Sequence, residues 1–305
     1  MDLERKAIER VRLASEMSLN YYGLPLVCTY SGGKDSDVML ELFKRSGVPF
    51  EVHNSHTTAD APQTVRHIRD TFRELELQGI SCTVDYHKKS DGSCVTMWNL
   101  IPKRLTPPSR KIRYCCSELK EGGCKNRMIA TGIRREESYE RKERGMFEEI
   151  SRDKSNKAIL PDEKMLLTDN GDARRLFERC QLKAKTVVNP IIDWKDNDVW
   201  EFYWNECKRH NPMYQMGYYR VGCIGCPMAG KGRRKEFADF PSYKRAYIKA
   251  FDRMLEIREG RGLTNKWKNG EEVFLWWMED TDVQGQYIME FSGADLQKII
   301  EKGKI

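Results

Sequence analysis

A short apolar run, PLVCTY (Pro25–Tyr30), ends in SGGKDS (Ser31–Ser36) and gives way to DVMLELFKRSG (Asp37–Gly47). The run is rich in strand formers and stops at two glycines, so it reads as a buried strand entering a turn. Val38, Leu40, Leu42 and Phe43 then recur at helical spacing, with Gly47 as the stop. A glycine turn between strand and helix suits an anion. Glycine lets the backbone bend tightly and bring N–H groups close to a ligand, and the helix adds its positive end. Ser31 and Ser36 contribute hydroxyls and Lys34 a cation. In an α/β sheet such a turn lies at the carboxyl end of a strand, where ligands bind. The adjacent glycines match neither the Walker pattern nor GxGxxG.

The rest of the chain keeps the same rhythm. Upstream, Ile8, Val11, Leu13 and Met17 mark an amphipathic helix. Downstream, VPFEVHN (Val48–Asn54) reads as a strand and APQTVRHIRDTFREL (Ala61–Leu75) as a helix, with Pro62 tolerable in its first turn. Strands follow at Ile80–His87, Arg127–Ile133 and Lys185–Ile191. Strands alternating with helices predict a doubly wound, mostly parallel α/β sheet. Two stretches break the pattern. Residues 139–184 carry dense charge of both signs with weak periodicity and read as an insertion. From Cys223 the chain turns helical and basic, with Trp267, Phe274, Trp276 and Trp277 near its end and a final helix beyond. The expected division is therefore an α/β nucleotide-binding domain over 1–222 and a helical region over 223–305.

The 305 residues suffice for a sizeable core. No apolar run approaches the roughly 20 residues of a membrane helix. The N-terminus carries acidic residues and lacks the apolar stretch of a signal peptide. The net charge of +7 is localised: Cys223–Gly270 holds 12 Lys and Arg against 5 Asp and Glu, an excess equal to that of the whole chain. Such a surface favours a polyanionic or nucleotide partner.

Ten cysteines in a chain of this size point to metal or chemistry, in a reducing cytoplasm, more than to a disulfide framework. Four form a set: the adjacent pair Cys115 and Cys116 in RYCCSELK, and Cys223 and Cys226 in GCIGCPM. A CxxC turn lets two sulfurs face one metal or cluster. Lys111, Arg113 and Lys120 flank the first pair and favour thiolates. An iron–sulfur cluster, structural zinc and redox-active thiols all fit this set. Cys28 and Cys82 lie in expected strands and read as core; Cys94, Cys124, Cys180 and Cys207 carry no assignment.

SGGKDS resembles the pyrophosphate loop of the N-type ATP pyrophosphatases, which include the phosphoadenylylsulfate (PAPS) reductase family. HTTADAPQT (His56–Thr64) is similar to that family's DTGxxxPET segment, with His56 in place of the acid. TGIRREES (Thr131–Ser138) resembles its TGxRxxES motif, and NPIIDWKDNDVW (Asn189–Trp200) its proline–tryptophan segment. The resemblance covers roughly Leu24–Pro227 and implies a Rossmann-like pyrophosphate-loop fold. It implies that Ser31, Gly32, Gly33, Lys34, Asp35 and Ser36 hold the phosphates of ATP or another adenine nucleotide. Thr131, Gly132, Arg134 and Arg135 would meet the same anion, with Lys34, Asp35 and Arg134 carrying the chemistry. A guanidinium suits phosphate because it meets two oxygens in a fork. The adjacent pair plus a distant CxxC resembles the cluster pattern of the adenylylsulfate reductase branch. That implies a 4Fe-4S cluster on Cys115, Cys116, Cys223 and Cys226.

Two departures shape the expected reaction. The family's sulfonucleotide reductases carry a catalytic cysteine near the C-terminus, whereas this sequence has none after Cys226. Their loop is usually degenerate, and here it is whole. Both favour ATP-dependent activation of an acceptor by adenylation, with release of pyrophosphate and transfer of sulfur. Mg²⁺ would neutralise the phosphates, with Asp35 as the nearest carboxylate. Expected partners are an adenine nucleotide, a sulfur donor or external thiol reductant, and a nucleic-acid acceptor stacked on the aromatic residues of 223–277. The alternatives are a PAPS or adenylylsulfate reductase using an external thiol, and a nucleotide-sensing regulator that binds nucleic acid.

Overall fold

The computed structural model describes residues 3–89, 91–121, 123–124, 126–137, 141–142, 144–150 and 185–279. Most of the charged stretch 139–184 lies outside them, as do Cys180 and the final helix expected beyond residue 279.

The chain divides into two compact units that interleave along the sequence. The first comprises Met1–His56, Asp60–Tyr86 and Lys120–Gly222, and the second Thr57–Ala59, His87–Leu119 and Cys223–Ile305. Gly222 is thus one of the boundaries. His87–Leu119, expected with the α/β domain, belongs instead with the C-terminal region.

The first unit holds a six-stranded sheet in the order β3-β2-β1-β4-β6-β5. Its strands are β1 (Leu26–Thr29), β2 (Phe50–Ser55), β3 (Cys82–Asp85), β4 (Met128–Ala130), β5 (Phe147–Ile150) and β6 (Lys185–Val188). All neighbours run parallel except β5, which pairs antiparallel with β6, Phe147 opposite Val188. Strand β5 corrects the reading of 139–184 as wholly inserted: its first residues close the sheet. Alternation is too short across four residues to announce a strand there.

Central β1 is buried at Leu26, Val27 and Cys28, as a strand covered on both faces must be. Helix α1 (Leu3–Tyr22) and α2 (Lys34–Ser46) supply the cover on one side. Val11, Ala14 and Met17 of α1 pack with Leu26, Cys28, Met39 and Phe43. A second cluster joins Ala7, Val38 and Leu42 to Trp194, Val199 and Tyr203. Arg10 ties α1 to the chain after β6 by a fork onto Asp193, at 2.6 and 2.9 Å, and by a bond to the Pro190 carbonyl. Cys28 is fully buried, and desolvation pushes its thiol far up. The Cys82 thiol is raised to about 11, first by burial and then by Glu76.

Helix α3 (Pro62–Leu77) starts on proline, whose fixed φ suits a first turn. Helices α6 (Asp196–Glu206) and α7 (Pro212–Gln215) complete the first unit. The second unit is helical: α4 (Met97–Arg104), α5 (Tyr114–Leu119), α8 (Gly232–Asp239), α9 (Pro241–Gly260) and α10 (Gly270–Glu279). Among the described residues no helix is long and apolar enough to cross a membrane.

Candidate functional site

The glycine loop follows β1 and runs directly into α2. Gly32 sits at φ +72, a conformation open to glycine at little cost, and a Cβ there would meet Ile68 Cγ1 at 2.9 Å and Thr64 Cγ2 at 3.2 Å. The loop is braced from within. Ser36 Oγ donates to the Gly33 carbonyl at 2.8 Å and accepts from the Ser31 amide at 3.3 Å. It is also braced from far along the chain. Asn211, fully buried, donates to the Gly32 carbonyl at 2.6 Å and to Thr64 Oγ1 at 3.1 Å. Tyr214 accepts from the Lys34 amide at 2.7 Å. The amides of Gly32 and Gly33 donate to no acceptor among the described residues. Under the loop, Tyr30, Asp37 and His67 form a buried hydrogen-bonded group: Tyr30 donates to Asp37, and His67 Nε2 lies 3.0 Å from both. Burial, then the Asp37 charge, pushes the Tyr30 hydroxyl well up, so it stays a donor.

Two cations and two carboxylates converge beside the loop. Lys34 Nζ lies 3.0 Å from Asp35 and 3.1 Å from Asp196. Arg134 bonds the same two, Nε to Asp35 at 2.7 Å and Nη2 to Asp196 at 2.9 Å. Lys34 is only 6% exposed and Arg134 only 3%. Gly132 brings this about: a Cβ there would sit 3.2 Å from the Asp35 carbonyl, so the chain after β4 passes close to α2. The remaining arginine nitrogen, Nη1, is buried without a hydrogen bond, 3.8 Å from Glu136. A buried guanidinium donor left unpaired is costly unless something else accepts from it.

Asp196 is the hub. It takes Lys34 and Arg134 on one oxygen, and Trp200 Nε1 at 3.1 Å and the Tyr219 hydroxyl on the other. Burial works to raise its carboxyl, but the Tyr219 and Lys34 hydrogen bonds and the charges of Lys34 and Arg134 outweigh it. The carboxyl is held below the usual carboxylate range. Since the folded value is the lower one, this cluster stabilises the fold above the ordinary carboxylate range and loses that contribution as pH falls through the depressed value. Asp196→Asn should therefore flatten the acid limb of a stability-versus-pH curve measured by urea unfolding. An acid limb unchanged from wild type would contradict the assignment.

The other expected residues take distinct places. Thr131 donates to Asn189 Oδ1 at 2.5 Å, and Asn189 in turn donates to the Gly145 carbonyl at 2.9 Å, fixing the end of β4. Arg135 donates through Nε to the Arg144 carbonyl at 3.0 Å. Asn211, Tyr214 and Tyr219 escaped the sequence reading because they lie 160 residues and more beyond the loop in no periodic pattern. Asp196 stood inside a quoted segment with nothing to separate it from Asp193 or Asp198.

The four cysteines fall in the second unit. Cys115 and Cys116 lie on α5, and Cys223 and Cys226 on a turn closed by Cys226 N to the Cys223 carbonyl at 3.2 Å. Gly225 within it has φ +75, and a Cβ there would meet Phe237 at 2.5 Å, Tyr247 at 2.9 Å and Trp277 at 3.2 Å. Its amide donates to the buried Glu236 at 2.6 Å, and Tyr247 donates to the Ile224 carbonyl at 2.9 Å. Cys223 Sγ bonds Thr57 Oγ1 at 3.3 Å, and Arg113 donates to Cys116 Sγ at 3.5 Å. The Cys115 thiol is pushed far up, first by its hydrogen bond with Cys116, then by burial and by the charges of Cys116, Cys223 and Cys226. Cys115 therefore lies within electrostatic reach of the other three. Among the described residues no three Cys, His, Asp or Glu side chains converge as a single metal ion would need.

Of the aromatic residues expected to stack on bases, Phe274 and Trp277 are core instead, whereas Trp267 and Trp276 are half-buried. Phe274 and Trp277 are buried, 4% and 1% exposed, with Phe237, Tyr247 and Phe251 packed around Trp277 at 4.8–6.1 Å. Trp267 and Trp276 pack on each other at 4.8 Å. A helical unit this small needs large side chains to build a core.

The model of the phosphoadenosine phosphosulfate reductase domain matches residues 25–229, about two thirds of the chain. The chain belongs to this family. Among its relatives is an uncharacterised protein of Methanocaldococcus jannaschii, 24% identical over 264 residues, covering 84% of this chain and 52% of the relative. An uncharacterised protein of Escherichia phage 186 is 29% identical over 161 residues, covering 51% and 42%. Adenosine 5'-phosphosulfate reductase of Allochromatium vinosum is 36% identical over 42 residues, covering 14% and 16%. The chain spans about half the length, or less, of these curated relatives. As a member of the PAPS reductase domain family it places β1, the loop, β4, β6 and the CxxC turn all within the matched residues.

Proposed function

We propose that the protein cleaves ATP between its α and β phosphates to activate an acceptor, which then receives sulfur. The observation that carries this reading is the buried Nη1 of Arg134, which makes no hydrogen bond, beside Lys34 and the Gly32 and Gly33 amides, which donate to no acceptor among the described residues. These donors form one anion-binding corner at the start of a helix, where positive potential is already present. An oxygen of the acceptor attacks the α-phosphorus, and the bond to the β-phosphate breaks. Pyrophosphate leaves with its charge held by Lys34, Arg134 and the loop amides. A sulfide-bearing donor then displaces AMP, forming a C–S bond as the C–O bond breaks. Asp35 and Asp196 would hold Mg²⁺, which would neutralise the triphosphate. On phosphate binding, Lys34 and Arg134 would exchange carboxylate partners for phosphate oxygens, which would free Asp35 and Asp196.

The four cysteines fit an iron–sulfur cluster. Ionising four neighbouring thiols is opposed by their mutual repulsion, and a cationic iron centre removes that cost. Cys115, Cys116, Cys223 and Cys226 would hold it, and a cluster there supplies a site to bind or deliver sulfide. Protein purified without oxygen should contain about four iron and four sulfide per chain and absorb visible light. Cys223→Ala with Cys226→Ala should abolish both. Colourless protein containing zinc and no sulfide would refute the cluster.

The 42-residue likeness to adenosine 5'-phosphosulfate reductase favours a second reading, reduction of a sulfonucleotide to sulfite by an external thiol. Pyrophosphate release from ATP decides for the first, and sulfite release from a sulfonucleotide for the second.

A further inference from the structure

The hydroxyl of Tyr214 stands at the loop with only half of its hydrogen-bonding capacity used. Helix α2 starts at Lys34, so its first amides have no carbonyl partner within the helix. Its N-cap, Gly33, has no side chain to serve them. Tyr214 Oη serves one, accepting from the Lys34 amide at 2.7 Å. The same oxygen lies over Gly33, 3.5 Å from where a Cβ would stand. Gly33 and Gly32 carry the next two amides back along the chain, which donate to no acceptor among the described residues. The phenol's own hydrogen is likewise donated to nothing among them. A phenol keeps that hydrogen at neutral pH. Burial pushes the Tyr214 hydroxyl further up, against the Lys34 amide bond, and the charges of Asp35, Asp37 and Asp196 add to the rise.

We infer that Tyr214 is a phosphate-binding residue: its hydroxyl donates to a phosphate oxygen seated on the loop, while its oxygen keeps the Lys34 amide. That the phosphate belongs to ATP rests on the proposed activation; that the hydroxyl holds phosphate does not. An N–H donated to the phenol oxygen polarises the O–H and strengthens the bond it can donate. The hydroxyl is also fixed from behind. Asn211 caps α7 by accepting from the Met213 amide at 3.0 Å, and its own amide donates to Tyr203 Oη at 2.7 Å. The Tyr214 ring stands edge-on to Trp200 at 4.9 Å and to Tyr203 at 5.4 Å. A donor held in this way needs little reorganisation when an anion arrives. The rival role is a phenol that merely fills the anion's place. It would have to leave the Lys34 amide as phosphate enters, and the Asn211 cap and both rings oppose that movement.

The test uses the full chain and calorimetric titration with inorganic pyrophosphate and Mg²⁺, comparing wild type with Tyr214→Phe. Phenylalanine keeps the ring and removes only the hydroxyl. The variant should bind pyrophosphate about tenfold more weakly, the scale for one hydrogen bond to a charged acceptor. A purely structural role would move a different quantity. Loss of the Lys34 cap alone would lower the thermal midpoint without ligand and leave pyrophosphate affinity unchanged, and that result would overturn the inference. So would tighter binding by the variant, which would show the hydroxyl competing with phosphate for the Lys34 amide. A second measurement places 3-fluorotyrosine at position 214, where the more acidic phenol is the stronger donor. This protein should bind pyrophosphate at least as tightly as wild type, and its fluorine resonance should shift on saturation; an unmoved resonance would refute the bond. Weaker pyrophosphate binding in Tyr214→Phe, with wild-type protein unable to release pyrophosphate from ATP, would support the hydroxyl's role and overturn the activation reading instead.

Discussion

Gly225→Ala should destabilise the second unit by about 2–4 kcal/mol, the sum of a left-handed backbone strain and an overpacked core. The strain is general: any residue with a Cβ is disfavoured at φ +75. The clash is particular to this site, where the new methyl would lie 2.5 Å from Phe237 and 2.9 Å from Tyr247. Neither ring can yield easily, because both are buried and packed on Trp277. The turn carrying Cys223 and Cys226 should therefore shift, and iron content should fall with stability. Gly217→Ala is the control. Gly217 also has a left-handed φ, +80, but a Cβ there meets nothing within 4 Å, so only the strain of about 1 kcal/mol remains. Urea unfolding followed by tryptophan emission measures both. Equal losses in the two variants would show that packing against the aromatic rings is not what fixes glycine in the CxxC turn.

Lys34→Ala should cut ATP-dependent pyrophosphate release by roughly 10²–10³-fold, the scale for removing one preorganised donor to developing charge. The lysine does two things. It offers a cation to the leaving pyrophosphate, and it keeps Asp35 and Asp196 from facing each other with only Arg134 between them. Lys34→Met keeps the length and removes the charge, so it separates packing from electrostatics. Arg134→Lys should fall nearly as far, since an ammonium cannot reach Asp35, Asp196 and a phosphate oxygen from one plane. Isotope exchange between pyrophosphate and ATP reads the step directly. Wild-type exchange in Lys34→Met would remove this corner from the reaction.

Where the sequence was informative, the signal was local. Strand β1, the loop and α2 stand in 21 consecutive positions, and their order alone places glycines, hydroxyls and a cation at the carboxyl end of a strand. Hydrophobic periodicity located β1 to β4, β6, α1 and α3, because burial on one face imposes a period that neighbours reveal. It missed β5, whose four residues are held by antiparallel pairing with β6 and not by any pattern of their own.

Tertiary structure decided who meets whom. Asp196 becomes the hub of the cation corner only because α6 starts beside the loop, and Asn211 and Tyr214 reach the loop amides and carbonyls from about 180 residues away. His87–Leu119 leaves the α/β unit and joins the C-terminal helices, which brings Cys115 and Cys116 to Cys223 and Cys226 across 106 intervening residues. Composition announced aromatic residues and positive charge in the same stretch, yet only folding separated them. Phe274 and Trp277 went into the core, while Arg245, Lys249 and Arg253 stayed exposed on α9. A sequence states which groups are present; which of them remain unspent is settled by packing.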